Sequence, residues 1–198
     1  MIHNISVKIT NCLLKKDILV CEEKDIYEYG FELLISSALG FLIILTAGLI
    51  FNILLESMLF YFIFISVRPF CGGYHADSHL KCKLTFVLTY VIVMFFSRIF
   101  AANYMLIYNL LVLTVYILSI ILYAPIEHPN KPIDKAEIAR NRKISIILAF
   151  TLSAISIVVS AFSVKYSAII SLTLFSVAML MIITKLKKEE VLSENNYN

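Results

Sequence analysis

The chain has 198 residues, 60% of them hydrophobic and 16% charged, and a formal net charge of +3. Soluble domains are about 45–50% apolar and about 25% charged, and a chain this small keeps too much surface wet to hide the excess. An integral membrane protein is expected, and a disordered chain, a disulfide scaffold and a nucleic-acid binder are excluded.

In chain order, segment 1–28 comes first and holds no compact apolar run. Ile2, Ile5, Ile9 and Leu13 recur at helical spacing, with Lys8, Lys15 and Lys16 among and after them. That pattern predicts an amphipathic helix in the inner membrane interface, its lysines toward anionic headgroups. The other reading is a solvated helix packed on cytoplasmic loops. The segment has neither the apolar stretch nor the small-residue cleavage site of a signal peptide. None of Cys12, Cys21, Cys71 and Cys82 forms a CxxC pair, so reduced thiols facing a cytoplasm are expected.

Uncharged runs follow at 33–55, 57–67, 84–97, 99–126, 144–164 and 166–184. A spanning helix takes about 20 apolar residues, with a range of roughly 17–25, so 57–67 and 84–97 fall short. Each is lengthened by snorkelling of Arg68, Lys83 or Arg98, or is a short helix packed inside the bundle. With the N-terminus in the cytoplasm and every run crossing, only Arg98 and Lys165 of the 17 basic residues lie outside. The positive-inside rule requires such an asymmetry. Omitting the second run would put the stretch from Arg68 to Lys83 outside and reverse all that follows. The expected fold is all-α, a polytopic membrane helical bundle of about six hydrophobic segments plus the N-terminal amphipathic helix. It forms one integral membrane domain over 1–198, with both termini cytoplasmic.

Two polar cytoplasmic loops, 68–83 and 124–143, hold His75, His79, His128, Cys71, Cys82 and all 4 prolines. The remainder is mostly apolar, so any chemistry must be built from these loops. Pro69 and the Gly72-Gly73 pair argue against a regular helix through the start of the first loop. Helix is expected to resume near His75, which sets His75, His79 and Cys82 at i, i+4 and i+7. Three readings are then open. A histidine could take the proton of Cys82, whose thiolate the flanking Lys81 and Lys83 favour. Seven residues of straight helix rise about 10.5 Å, so His79 reaches Cys82 more readily than His75, which must fold back. Alternatively the three side chains, with Asp77 or His128, could hold zinc. The third reading is a solvated elbow with no chemistry.

Arg68, Gly72, Gly73, His75, Ala76, Ser78 and Cys82 together resemble the signature R-x-x-x-G-G-x-H-A-x-S-x-x-x-C of the accessory gene regulator B (AgrB) family. In the second loop Ala124, Pro125, Glu127, Asn130, Lys131 and Pro132 resemble that family's A-P-x-E-x-x-N-K-P segment. The likeness extends over the whole chain in length, number of runs and loop placement. It implies a membrane cysteine endopeptidase of quorum sensing. Such an enzyme cleaves the C-terminal tail of an autoinducer precursor peptide and assists closure of a thiolactone or lactone. By the resemblance Cys82 matches the nucleophile and His75 the general base, with Gly72-Gly73 supplying the fold-back. Arg68, Gly72, Gly73, Ser78, Glu127, Asn130 and Lys131 are candidates for supporting or substrate-binding roles, and Asp77, Glu127 or Asp134 for an orienting third member. Cys71 is read as incidental. No metal and no cofactor are implied. The implied partners are a precursor with an amphipathic leader and an acidic tail, membrane lipid, and a second copy in a homodimer, with no nucleic acid. Lys131, Lys135, Arg140, Arg142 and Lys143 could bind the acidic tail, although positive-inside anchoring explains them equally. The rival functions are a membrane cysteine protease releasing linear peptide and a non-enzymatic membrane transporter.

Overall fold

The structure, a computed structural model, describes residues 2–16, 19–20, 23–71, 79–102, 106–126 and 135–195. Their regular elements are the helices α1 (Ile2–Leu14), α2 (Lys24–Ile50), α3 (Leu54–Cys71), α4 (His79–Ala102), α5 (Leu106–Tyr123), α6 (Lys135–Ser160) and α7 (Val164–Asn195). Six of them, α2 to α7, are long and apolar enough to cross a membrane. The all-α multi-pass bundle expected from the uncharged runs is the architecture found. Helix boundaries, by contrast, follow packing and capping more closely than they follow charge.

The run 33–55 is interrupted near its end. Asn52 adopts a left-handed conformation with φ 53°, which asparagine tolerates better than most side chains. The amide of Ile53 donates to Gly48 O at 2.9 Å and that of Asn52 to Leu49 O at 3.3 Å. This is the paired bonding of a Schellman stop, which satisfies carbonyls the helix end would otherwise leave open. α3 therefore starts at Leu54 and returns beside α2. The return is tight, because a Cβ at Gly48 would lie 3.0 Å from both Leu54 Cα and Ser57 Oγ.

Both short runs reach spanning length by taking charged residues into their helices. α3 adds Glu56 and Arg68 to the run 57–67 and continues through Pro69 to Cys71. The expected break at Pro69 is absent because the proline falls in the last turn, where only the Ile65 carbonyl loses its helical donor. α4 extends the run 84–97 past Arg98 to Ala102, so the run 99–126 is shared between α4 and α5. Each charge lies near a helix end. Glu56 is buried and paired with Lys165, Arg98 acts electrostatically on the same carboxylate, and the Arg68 guanidinium sits 5.2 Å from the Phe64 ring centroid. The two basic residues set apart by the charge count thus gather on one carboxylate at the α2–α3 and α6–α7 turn end.

Helix α7 is the axis of the bundle, in contact with α3, α4, α5 and α6, while α2 packs on α3 and carries α1. Lipid-like surroundings offer no hydrophobic drive between apolar helices, so small and hydroxylated side chains take over at the seams. Ser167 of α7 is buried where α5, α6 and α7 meet. Its Oγ donates to Ser156 O at 2.9 Å and accepts from Asn109 Nδ2 at 3.2 Å. On the other side, Ser57 of α3 and Tyr90 of α4 share a hydroxyl bond of 2.8 Å, beside an aromatic cluster of Phe60, Phe64, Phe86 and Tyr90.

Helix α1 rests on α2 through its small polar residues. Ser6 and Thr10 are buried, whereas Ile5 and Lys8 are exposed. His3 Nδ1 lies 2.5 Å from Glu32 Oε1, tying the start of α1 to α2. Of the apolar stripe, Ile5 is exposed while Ile9 and Leu13 are half-buried.

Candidate functional site

The helices alternate in direction, so the end of α3, the start of α4, the end of α5 and the start of α6 all lie at one end of the bundle. Segment 72–78 connects the first two and 127–134 the last two. Both contain the polar motifs, and their roots are joined. The amide of Ile126 donates to Cys71 O at 3.1 Å. One residue earlier on α3, Ser145 Oγ of α6 donates to Phe70 O at 2.7 Å, its proton shared with Asn141 O at 2.8 Å. The last carbonyls of α3 have no intrahelical partner, and two of them are taken by donors from the α5–α6 side.

Other contacts close the same end. Lys185 Nζ of α7 stands 4.1 Å from the Tyr123 ring centroid, and Arg142 of α6 donates to Ile121 O of α5 at 3.5 Å. A cation at a helix C-terminus meets the negative end of its dipole. Arg140 pairs with Glu137 at 3.5 Å. Two of the basic residues considered for binding an acidic tail are thus engaged within the bundle.

His75, Gly72, Gly73, Ser78, Asp77, Glu127, His128, Asn130, Lys131 and Asp134 lie outside the described residues. Cys82 and His79 are placed by backbone alone, in the first turn of α4 and three residues apart, which sets them on one helix face. Arg68 is one turn before the end of α3, at the same end of the bundle as Cys82. Among the described residues no group of three His, Cys, Asp or Glu side chains is arranged to hold a metal. The zinc reading rested on His75, His79 and Cys82 with Asp77 or His128, of which only the backbone of His79 and Cys82 is described.

One expectation changes. The second polar stretch, 124–143, is helical from Lys135 onward, because Lys, Ala, Glu and Arg are strong helix formers and α6 simply continues beyond its apolar span. Cys71, which the motif does not require, has a structural place. It is fully buried at the junction of the two loop roots, with the Ser145 hydroxyl in hydrogen-bonding reach and the Tyr116 ring near enough to interact. Ser145 and Ile126 carry no chemical signature, and their roles were not visible in the sequence. The one hint is that Ser145 is a small polar residue just inside an apolar run.

The family model described as Accessory gene regulator B matches residues 6–184. This chain belongs to the accessory gene regulator B family. It is 33% identical to an AgrB-like protein of Clostridium perfringens over 67% of this chain and 64% of that one. With protein FsrB of Enterococcus faecalis it shares 27% identity over 61% of this chain and 50% of the relative. With accessory gene regulator protein B of Staphylococcus aureus it shares 21% over 69% and 72% respectively. The chain thus spans about half to two thirds of the length of the first two relatives. No solved structure gave a significant match.

Proposed function

We propose that this chain is a membrane cysteine endopeptidase that processes a quorum-sensing precursor peptide, with Cys82 as nucleophile and His75 as general base. The observation that carries the reading is the bond between Ile126 and Cys71. It roots both motif-bearing segments at one point, at the end of the bundle where α4 begins with Cys82 in its first turn. A helix N-terminus favours a thiolate, which suits a nucleophile at that position. The excess of basic residues at this end supports a cytoplasmic orientation for it, where a newly made precursor is available.

In this scheme His75 takes the thiol proton of Cys82. The sulfur then attacks the carbonyl carbon at the boundary between signal and tail. The amide C–N bond breaks, His75 protonates the leaving amine, and a thioester to Cys82 remains. A cysteine or serine side chain of the precursor gives its proton to His75 and attacks that thioester. Ring closure releases Cys82, which recovers the proton. Exchange between two thioesters is nearly balanced, so closure outruns hydrolysis only where the precursor is held and water is kept away. The exposed Lys143, with Lys131 and Lys135, suits an acidic tail.

The test is coexpression with a precursor peptide that carries an amphipathic leader, a cysteine and an acidic tail. Mass spectrometry should find a signal peptide one water lighter than its linear acid. Cys82→Ala and His75→Ala should each abolish it, while Cys71→Ala and His79→Ala retain it. A product of linear mass would replace the cyclising enzyme with a hydrolysing one. Normal product from Cys82→Ala would refute the reading.

A further inference from the structure

We propose that Arg98 and Lys165, at the end of the bundle opposite the two polar segments, form a binding site for the headgroup phosphate of an anionic phospholipid. The site is built from three helix ends. Glu56 is in the first turn of α3, Lys165 is the second residue of α7, and Arg98 stands one turn before the end of α4. The Glu56 carboxylate is buried and takes the Lys165 ammonium, while the lysine side chain stays half exposed. Arg98 acts on the same carboxylate electrostatically, yet it makes no ion pair among the described residues. Lys165 alone balances Glu56, so the arginine charge is surplus. The N-termini of α3 and α7 add open backbone amides and the positive ends of two helix dipoles. A lysine in the first turn of α7 works against that dipole, which leaves the corner set for an anion.

The surroundings of the two cations decide which anion. Arg98 is exposed, and on α4 it stands between Phe95 and Ile99, both exposed as well. Farther from the helix end, Leu88 and Val91 continue that exposed apolar surface toward the middle of the bundle. Phe162, in the turn three residues before Lys165, is 86% exposed. A charge framed by apolar side chains near the end of a spanning helix sits at headgroup depth. A water-soluble anion gains nothing from that frame. A phospholipid lays its acyl chains along α4 and brings its phosphate to the guanidinium, which can bind two phosphate oxygens at once. The Lys165 ammonium has three donors and keeps some free beyond the one given to Glu56. One surplus positive charge matches the single charge of an anionic phosphodiester headgroup, whereas a zwitterionic lipid carries its own cation.

The chain has no tryptophan, so Phe162→Trp gives a single fluorophore beside the site. The full chain carrying that change is reconstituted in phosphatidylcholine vesicles with equal fractions of either dibrominated phosphatidylglycerol or dibrominated phosphatidylcholine. The ratio of the two quenching constants reads the local preference for the anionic lipid. One surplus charge at headgroup depth should set that preference at about fivefold. Adding Arg98→Gln should abolish it, because Glu56 still balances Lys165, and adding Arg98→Lys should keep most of it. No preference in the starting protein, or the same preference after Arg98→Gln, would overturn the site. So would loss of the preference in Arg98→Lys, since the charge is then retained and anion binding is not what was read. Millimolar inorganic phosphate should change the ratio no more than sodium chloride of the same ionic strength does. Selective loss in phosphate would make the ligand a free anion and overturn the lipid assignment.

Discussion

The three helical glycines of α2 make a graded test of how closely the helices approach. Replacing glycine by alanine inside a helix normally stabilises it by roughly 0.5–1 kcal/mol, because the unfolded chain loses freedom. Whether that gain survives depends on what the new methyl meets. At Gly30 nothing lies within 4 Å, and at Gly40 the nearest atom is a ring carbon of Phe86 at 3.5 Å, an ordinary contact. At Gly48 the methyl would sit 3.0 Å from Leu54 Cα, 3.0 Å from Ser57 Oγ and 3.1 Å from Ser57 Cβ. Favourable contact between carbons begins near about 3.5 Å, so α2 and α3 would have to part by some tenths of an ångström. Leu54 offers only backbone there. Ser57 Oγ is held by Ile53 O and Tyr90 OH, each at 2.8 Å. Overpacking of this kind costs about 1–3 kcal/mol, which exceeds the propensity gain. We expect Gly30→Ala to stabilise, Gly40→Ala to be neutral or slightly stabilising, and Gly48→Ala to destabilise by about 1 kcal/mol, with Gly48→Val worse. Unfolding of purified protein in mixed micelles with increasing dodecyl sulfate, followed by helical circular dichroism, measures all four. Stabilisation of Gly48→Ala equal to that of Gly30→Ala would refute the tight α2–α3 turn.

Cys71, being fully buried, should resist maleimide in native vesicles while Cys12 reacts, and should label fully once dodecyl sulfate unfolds the chain. Cys71→Ala should cost about 1 kcal/mol of stability for one buried sulfur and leave precursor cleavage intact, which a direct activity assay checks. The Glu56–Lys165 pair should respond asymmetrically. Glu56→Gln leaves Lys165, which is half exposed, free to turn to solvent, whereas Lys165→Ala strands a buried carboxylate with only Arg98 nearby. The lysine change should therefore be the more destabilising, by about 1–3 kcal/mol after discounting for exposure, and the reverse order in the same micelle assay would discredit the pairing. For topology, single cysteines at 163 and 165 in a chain stripped of its native cysteines should label from outside the cell and one at 131 should not. Outside labelling at 131 would invert the bundle.

The six helices long and apolar enough to cross a membrane, the grouping of polar motifs into two segments and the resemblance that points to Cys82 and His75 were legible in the sequence. Each depends on neighbours along the chain: how many uncharged residues follow one another, which side carries the lysines, which residue types stand at fixed offsets. Helix limits were less legible. Of the two readings open for 57–67 and 84–97, the structure selects extension through Arg68, Lys83 and Arg98, because Glu56, Arg68 and Arg98 near the helix ends are met by an ion pair, an aromatic ring and a shared carboxylate. Reading uncharged length as one span misjudged 33–55, where the stop at Asn52 is made by backbone hydrogen bonds. For the candidate site the division is sharper. Its chemical residues announce themselves by type, but Ser145, Ile126 and the buried Cys71 matter only through contact. Phe70 and Ser145 are 75 positions apart, and no local pattern connects them. Their bond exists because α3 and α6 end up side by side around α7, and which helices become neighbours is decided by how all their surfaces pack at once.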